Sequence, residues 1–388
     1  MEFAFTDEQL MIRDSAEGFL ADALPSSAVR AAMAAGCHDR ALWQRIRDEL
    51  GWQALLVPEA HGGLGLGFVE LAIVQEQLGR RLASLPFFAS TLAVCALRVL
   101  GNAEQQARWL PGLAEGSLTA ALALGAEGAP EVSAVQIQAR KEGEGFVLEG
   151  RLRPVLDGHS ADLLLIPARL AGSGGEEGIC LFAVPAISSG LQRCALPTLD
   201  QTRQLAEIEL QHLYLPADAL LGTAGAAWPK LQTVVQLAAI ALAAEQVGGA
   251  QQALDLSVAY TRERQQFGRP VGSFQALKHR MADMMLQVEC ARSALYYAAC
   301  VAQQALDLEG DLALAAELPL AAALAKSGAS EAFFHCAAEA IQLHGGVGFT
   351  WEYDPHLYFK RARAGESLFG TPAWHRERIA AAILEDRP

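Results

Sequence analysis

Charge is scarce in this chain. Only 19% of its 388 residues are Asp, Glu, Lys or Arg, against 52% apolar, so a large interior or a large buried subunit interface is expected. Positive charge is the scarcer sign: 30 Lys and Arg against 44 Asp and Glu leave a net charge of -14, which argues against non-specific nucleic-acid binding. A local basic site remains compatible with that balance. The seven cysteines include no C-x-x-C pair and no metal-like spacing, so they read as reduced thiols, mostly in the core, and no metal site is expected. Long apolar runs are missing too. The most apolar stretch, 234–244, is short and rich in Ala, which predicts no membrane span. Met1-Glu2-Phe3 leads into an acidic, amphipathic segment rather than a signal peptide. The expectation is a cytoplasmic protein of two or three packed units, with no membrane or nucleic-acid partner.

What is present falls into three regions, 1–116, 117–225 and 226–388. The first reads as helices. Thr6-Asp7-Glu8-Gln9 is a helix start with carboxylates against the helix dipole, and helical patterns follow over 41–50 and 69–82. Between them, four glycines lie in the six residues Gly62 to Gly67. Such a run can cradle a phosphate, but no strand precedes it and no Lys-Ser/Thr follows, so a structural turn is the plainer reading, with His61 a loop histidine. From about 118 the apolar period shifts toward two. It predicts strands at 118–124, 134–139, 145–148, 162–168, 179–184 and 205–210, a hairpin turn at Glu142-Gly143-Glu144-Gly145, and a flexible loop at 171–175. The third region returns to helices, broken near Gly310-Asp311 and at 343–348; antiparallel helices with short turns make a bundle.

The most specific stretch is 244–284. Val247, Ala250, Leu254 and Val258 keep helical spacing, Gly268-Arg269-Pro270 breaks it, and Leu277, Met281, Met284, Met285, Val288 and Leu295 resume it after Ser273. The turn between two long helices carries Arg264, Gln266, Phe267 and Gln275. A guanidinium offers a planar, permanently charged fork of donors that suits a phosphate. By spacing alone, an ordinary helical hairpin with a solvated arginine cluster explains it as well.

The run RERQQFGRPVGSFQALKHRMADM, with PEAHGGLGLG upstream and QLHGGVGFTWEYDP downstream, closely resembles the acyl-CoA dehydrogenases, flavoenzymes that oxidise acyl thioesters to enoyl thioesters. The likeness spans nearly the whole chain. It implies an α+β fold with an N-terminal helical domain, a middle β-barrel-like domain against the flavin and a C-terminal four-helix bundle, assembled as a tetramer. It also implies FAD as cofactor, acyl-CoA as substrate and an electron-transfer flavoprotein as acceptor. By resemblance Arg264, Phe267 and Gln275 reach FAD held mainly by a neighbouring subunit. Gln342, Gly345 and Gly346 approach its adenine-pyrophosphate part, and Thr371 belongs to the same cofactor-binding set. Read without the resemblance, the glycines of 345–348 are a helix C-cap and a turn.

Departures from the family pattern are equally specific. The stretch where T-E-P-x-x-G-S-D is usual reads Leu124-Gly125-Ala126-Glu127-Gly128-Ala129-Pro130. Leu156 stands where a Thr hydroxyl meets the flavin N5 edge, and it cannot donate that bond. Dehydrogenation needs a base for the α-proton while the flavin accepts a β-hydride, and a desolvated carboxylate serves well. The two positions where the family carries that Glu are Phe369 and Ala238. Three substitutes exist. Glu366 is three residues before Phe369. Glu245 is seven residues beyond Ala238, about 10 Å along the helix, where an Arg ion pair is the competing role. His375 follows Pro372 and is expected on the surface of the last helix. The erosion of the chain's own flavin contacts beside an intact set for a neighbour's flavin implies the base-deficient subunit of an α2β2 assembly with a homologous subunit. A homomeric enzyme with a displaced base and a non-catalytic scaffold are the other readings.

Overall fold

A computed structural model describes residues 5–36, 38–124, 130–307 and 310–385. Residues 125–129, which hold most of the altered T-E-P stretch, fall outside them.

The first helix starts where the N-cap signal lies. In α1 (Asp7–Ala23) the Thr6 hydroxyl accepts from Gln9 N, and the Gln9 side chain accepts from Thr6 N. Next come α2 (Ser26–Ala35), α3 (Arg40–Arg45), α4 (Phe68–Arg80), α5 (Phe87–Leu100) and α6 (Ala103–Glu115). The 41–50 pattern is α3 running into a π-helical turn, Ile46–Leu50, that ends at Gly51 in the left-handed conformation. Nearly every residue of α4 and α5 is buried, which makes them the inner wall of this region. The glycine-rich loop is a structural turn. Gly63 N, Leu64 N, Gly65 N and Leu66 N bond to Pro58 O, Ala54 O, Val57 O and Leu55 O, so its amides already have partners and cannot cradle a phosphate.

The middle region is one mixed eight-stranded sheet in the order β6-β7-β3-β2-β4-β5-β8, with β1 parallel on β4. Its strands are β1 (Ala120–Leu122), β2 (Gln138–Glu142), β3 (Gly145–Leu156), β4 (Leu163–Leu170), β5 (Ile179–Pro185), β6 (Leu191–Ala195), β7 (Leu205–Leu215) and β8 (Leu220–Leu221). The hairpin turn lies where the sequence signals it, with Gly143 left-handed. Several details differ from the sequence expectation, among them β7, which runs on to Leu215 past the expected 210. The 134–139 segment pairs only from Gln138, because Val132–Ala134 forms a 3-10 turn. β3 continues to Leu156; its second half alternates solvated Glu149, Arg151 and Arg153 with irregular register against β7, which hides the period. β6 is a largely exposed strand at the end of the sheet with little apolar alternation, and β8 is two residues long.

The last region packs α7 (Trp228–Glu263), α8 (Gln275–Leu306), α10 (Leu318–His344), α11 (Pro355–Glu366) and α12 (Pro372–Glu385), with the short α9 (Leu312–Ala315) between α8 and α10. The apolar stretch 234–244 sits inside the 36-residue α7. This helix is long and apolar enough to cross a bilayer, yet 89% of its most apolar window is buried within the protein, so it is the core helix of the bundle. α7 and α4 meet backbone to backbone. A Cβ on Gly248 would stand 1.9 Å from Glu76 O, and one on Gly79 would stand 2.1 Å from Glu245 O. Gly248→Ala is therefore expected to force the two helices apart and destabilise the protein by about 2 kcal/mol or more, read as a lower urea midpoint with an unchanged m-value.

Candidate functional site

The residues expected to meet a neighbour's flavin lie on the outside of the bundle. α7 ends at Glu263, and a two-stranded hairpin, β9 (Gln265–Gln266) with β10 (Arg269–Pro270), projects Arg264 and Phe267 into solvent. Phe267 is 91% exposed with a left-handed backbone, held edge-on to Phe274 at 6.1 Å. Arg264 has no ion-pair partner among the described residues. Gln275 opens α8, whose N-terminus has no side-chain cap, which leaves the amides of Gln275 and Ala276 as donors while Leu277 N bonds to Phe274 O. Gln342, Gly345 and Gly346 are exposed at the end of α10, and a Cβ on either glycine would meet nothing within 4 Å. The His344 ring stacks on Tyr260 at 4.3 Å, which brings the end of α10 to the end of α7. Thr371 sits elsewhere, on the turn before α12, where its hydroxyl accepts from Trp374 N.

Neither of the two positions where the resemblance leads one to expect the base holds a proton acceptor. Ala238 is fully buried on α7, and the Phe369 ring is 6.2 Å from that of Phe88. Glu245 is buried about two turns further along α7 between two guanidinium groups. Arg203 pairs with Oε1, Arg361 Nε lies 2.9 Å from the same oxygen, and Gln75 Nε2 lies 3.4 Å from Oε2. Burial alone would raise the Glu245 pKa; Arg203 and then Arg361 outweigh it and hold the carboxyl below its ordinary value. Arg361 also reaches Thr202 Oγ1 at 3.0 Å and Asp200 Oδ2 at 3.5 Å. An ionised carboxylate bound on both sides is a weak base. The cavity that Glu245, Leu156 and Phe88 share measures about 30 Å³, room for one water molecule.

Glu366 is half-buried, its carboxylate bonded to Arg363. Its carbonyl belongs to a clamp around the turn that carries Phe369. Lys326 Nζ, fully buried on α10, donates to Ser330 Oγ at 2.9 Å, Gly370 O at 3.0 Å and Glu366 O at 3.2 Å. Burial lowers its pKa to about 7. His375 is not on the surface. It is buried in the first turn of α12, which folds back on α10, and burial followed by the charge of Lys326 lowers its pKa to about 4. It is thus neutral near pH 7. With Nε2 2.9 Å from Phe369 O, that nitrogen carries the hydrogen and donates. No local signal in the sequence links Lys326, Arg203 or Arg361 to these partners.

The model of the acyl-CoA dehydrogenase N-terminal domain matches residues 6–117, and that of the C-terminal domain matches residues 227–384. The acyl-CoA dehydrogenase IpdE2 of Mycobacterium tuberculosis is 35% identical over 380 residues, covering 98% of each chain. This chain belongs to the acyl-CoA dehydrogenase family. Among solved structures it resembles butyryl-CoA dehydrogenase from Megasphaera elsdenii, at 26% identity with a TM-score of 0.89 over 99% of this chain and 100% of that one. The ChsE4-ChsE5 complex from Mycobacterium tuberculosis is 28% identical with a TM-score of 0.87, covering 100% of each chain.

As an acyl-CoA dehydrogenase the protein is a flavin-using oxidoreductase acting on CH–CH bonds. Its residues fit a flavin unevenly. The exposed turn and the open glycines leave room and donors for one at the bundle surface, whereas Leu156 offers no hydrogen bond and the space behind it is filled by ions. Glu245→Gln is expected to leave two buried guanidinium groups without their shared carboxylate, a loss of about 3–5 kcal/mol near neutral pH. Because the folded pKa of Glu245 is lowered, its contribution is present above the unfolded value and lost as pH falls through the folded one. The stability gap between wild type and variant should therefore close in acid, as denaturant midpoints from pH 7 down to 3 would show.

Proposed function

We propose that this chain is the base-deficient subunit of a heteromeric, FAD-dependent acyl-CoA dehydrogenase, active with a homologous subunit that carries the carboxylate. One observation carries the reading. Beside Leu156, with Phe369 and Ala238 at the base positions, the interior holds an ion cluster and a cavity of about 30 Å³, too small for an acyl chain. The residues proposed to face the cofactor are present and include an exposed Phe267 and open space at Gly345 and Gly346, which supports the reading. Residues 1–116, 117–225 and 226–388 act as the three domains of this arrangement.

In this reading FAD supplies the hydride acceptor when bound. Arg264 places a permanent charge against its phosphates, Gln275 and the uncapped first turn of α8 donate to it, Phe267 covers a ring face, and Gly345 and Gly346 let the α10 terminus approach its adenine-pyrophosphate end. The partner's own carboxylate removes the α-proton of the acyl-CoA.

The test is expression of the chain alone and with a homologous subunit that retains the base. The pair should form a yellow heterotetramer that dehydrogenates acyl-CoA, and the single chain should turn over none. Turnover by the chain alone would establish a homomer with a displaced base, and no turnover in any combination would establish a scaffold; either result sinks the proposal. Within the active pair, Arg264→Ala removes a charge-assisted bond of about 1.5–3 kcal/mol. Flavin affinity should fall about ten- to a hundredfold, read by fluorescence titration of released FAD.

A further inference from the structure

The ion cluster is one charge away from neutral, and the missing charge stands on the cavity wall. Arg203 and Arg361 face Glu245, Asp200 and Asp157, and two positive charges against three negative leave a net of -1. His38, just before α3, has its Nε2 3.1 Å from Asp157 Oδ1, with the two side chains only 12% and 8% exposed. Its Nδ1 is 3.5 Å from Ser84 Oγ, and the neighbouring Asp39 N donates to Ser84 O at 3.3 Å. Asp157 directly follows Leu156 at the end of β3 and has a left-handed backbone. The His38–Asp157 contact thus fastens the N-terminal helices to the sheet at the edge of the cavity.

Other groups around His38 do not take over this role. Burial first, with the charges of His38 and Arg193, lowers the His159 pKa against the pull of Asp157. Arg193 approaches from β6 but donates to Ala161 O at 2.6 Å and Gly158 O at 3.4 Å. Asp39 caps α3 through Leu42 N, and Ser84, between α4 and α5, brings no charge. Burial presses the His38 pKa down, yet the charge of Asp157 and its hydrogen bond outweigh this and raise it above the ordinary value.

We propose that the His38 proton is a gate on this cavity: with it the cluster is neutral and the seam between residues 38–39 and 155–158 is shut, and without it the seam opens beside Leu156. The device is independent of which subunit supplies the catalytic base. Since the folded pKa is raised, the closing contribution is complete below the unfolded imidazole value of about 6.5 and is lost as pH rises through the folded value.

Hydrogen exchange of the full-length protein between pH 5.5 and 8.5, corrected for intrinsic rates, reads the gate. The reporter amides are Asp157, Ser160 and Ala161, which bond to Gln204 O and Asp157 O. Their protection should fall as pH rises through this range, while that of α7 stays flat. His38→Gln should show the low protection at every pH. Asp157→Asn, which removes the third carboxylate, should stay protected without pH dependence. A flat wild-type profile overturns the gate. So does a wild-type pH dependence that survives in His38→Gln or, should that variant not fold, in Asp157→Asn.

Discussion

The structure turns on one carboxylate shared by two guanidinium groups. Glu245 comes from α7, Arg203 from the loop before β7 and Arg361 from α11, while Gln75 reaches the same side chain from α4. The contact joins the N-terminal helices, the sheet and the bundle at one buried point. Taking such charges out of water is expensive, and a well-packed apolar set of equal volume is often as stable. Its value here is registration. Each partner has a unique counterpart, so three units that meet through otherwise interchangeable Ala and Leu surfaces are held in a single arrangement.

That registration has a chemical consequence. The interior beside Leu156 needs to be dry, roomy and equipped with an uncommitted carboxylate if it is to take protons from carbon. Its cavity of about 30 Å³ is walled by charged groups that satisfy one another, and the turn carrying Phe369 is fixed by Lys326 and His375. The opposite holds at the far end of α7. There the chain leaves an arginine, an aromatic ring and uncapped helix amides facing outward. Unsatisfied donors on a surface are inexpensive in water and useful against a phosphate, so the middle of α7 and its C-terminal end suit different tasks.

Legibility followed the range of the interactions concerned. The Thr6 capping box, the hairpin at Gly143 and the turn after Glu263 are set by residues a few positions apart, and all were visible in the sequence. β6 and the second half of β3 were not, because their outward charges and irregular pairing blur the alternation that marks a strand. His375 was misplaced for a related reason. Its position after Pro372 reads as the start of a surface helix, but α12 folds back onto α10 and buries His375 itself.

The sequence by itself determined the family, the helical spacing around 244–284 and the absence of a carboxylate at Phe369 and Ala238, since side-chain identity at a position is a one-dimensional fact. Only the tertiary structure decided what Glu245 does. Its two arginines lie 42 and 116 residues away in the chain, and His38 stands on yet another segment. A charge's partner and its burial are fixed by which segments share a volume, and no local pattern encodes that.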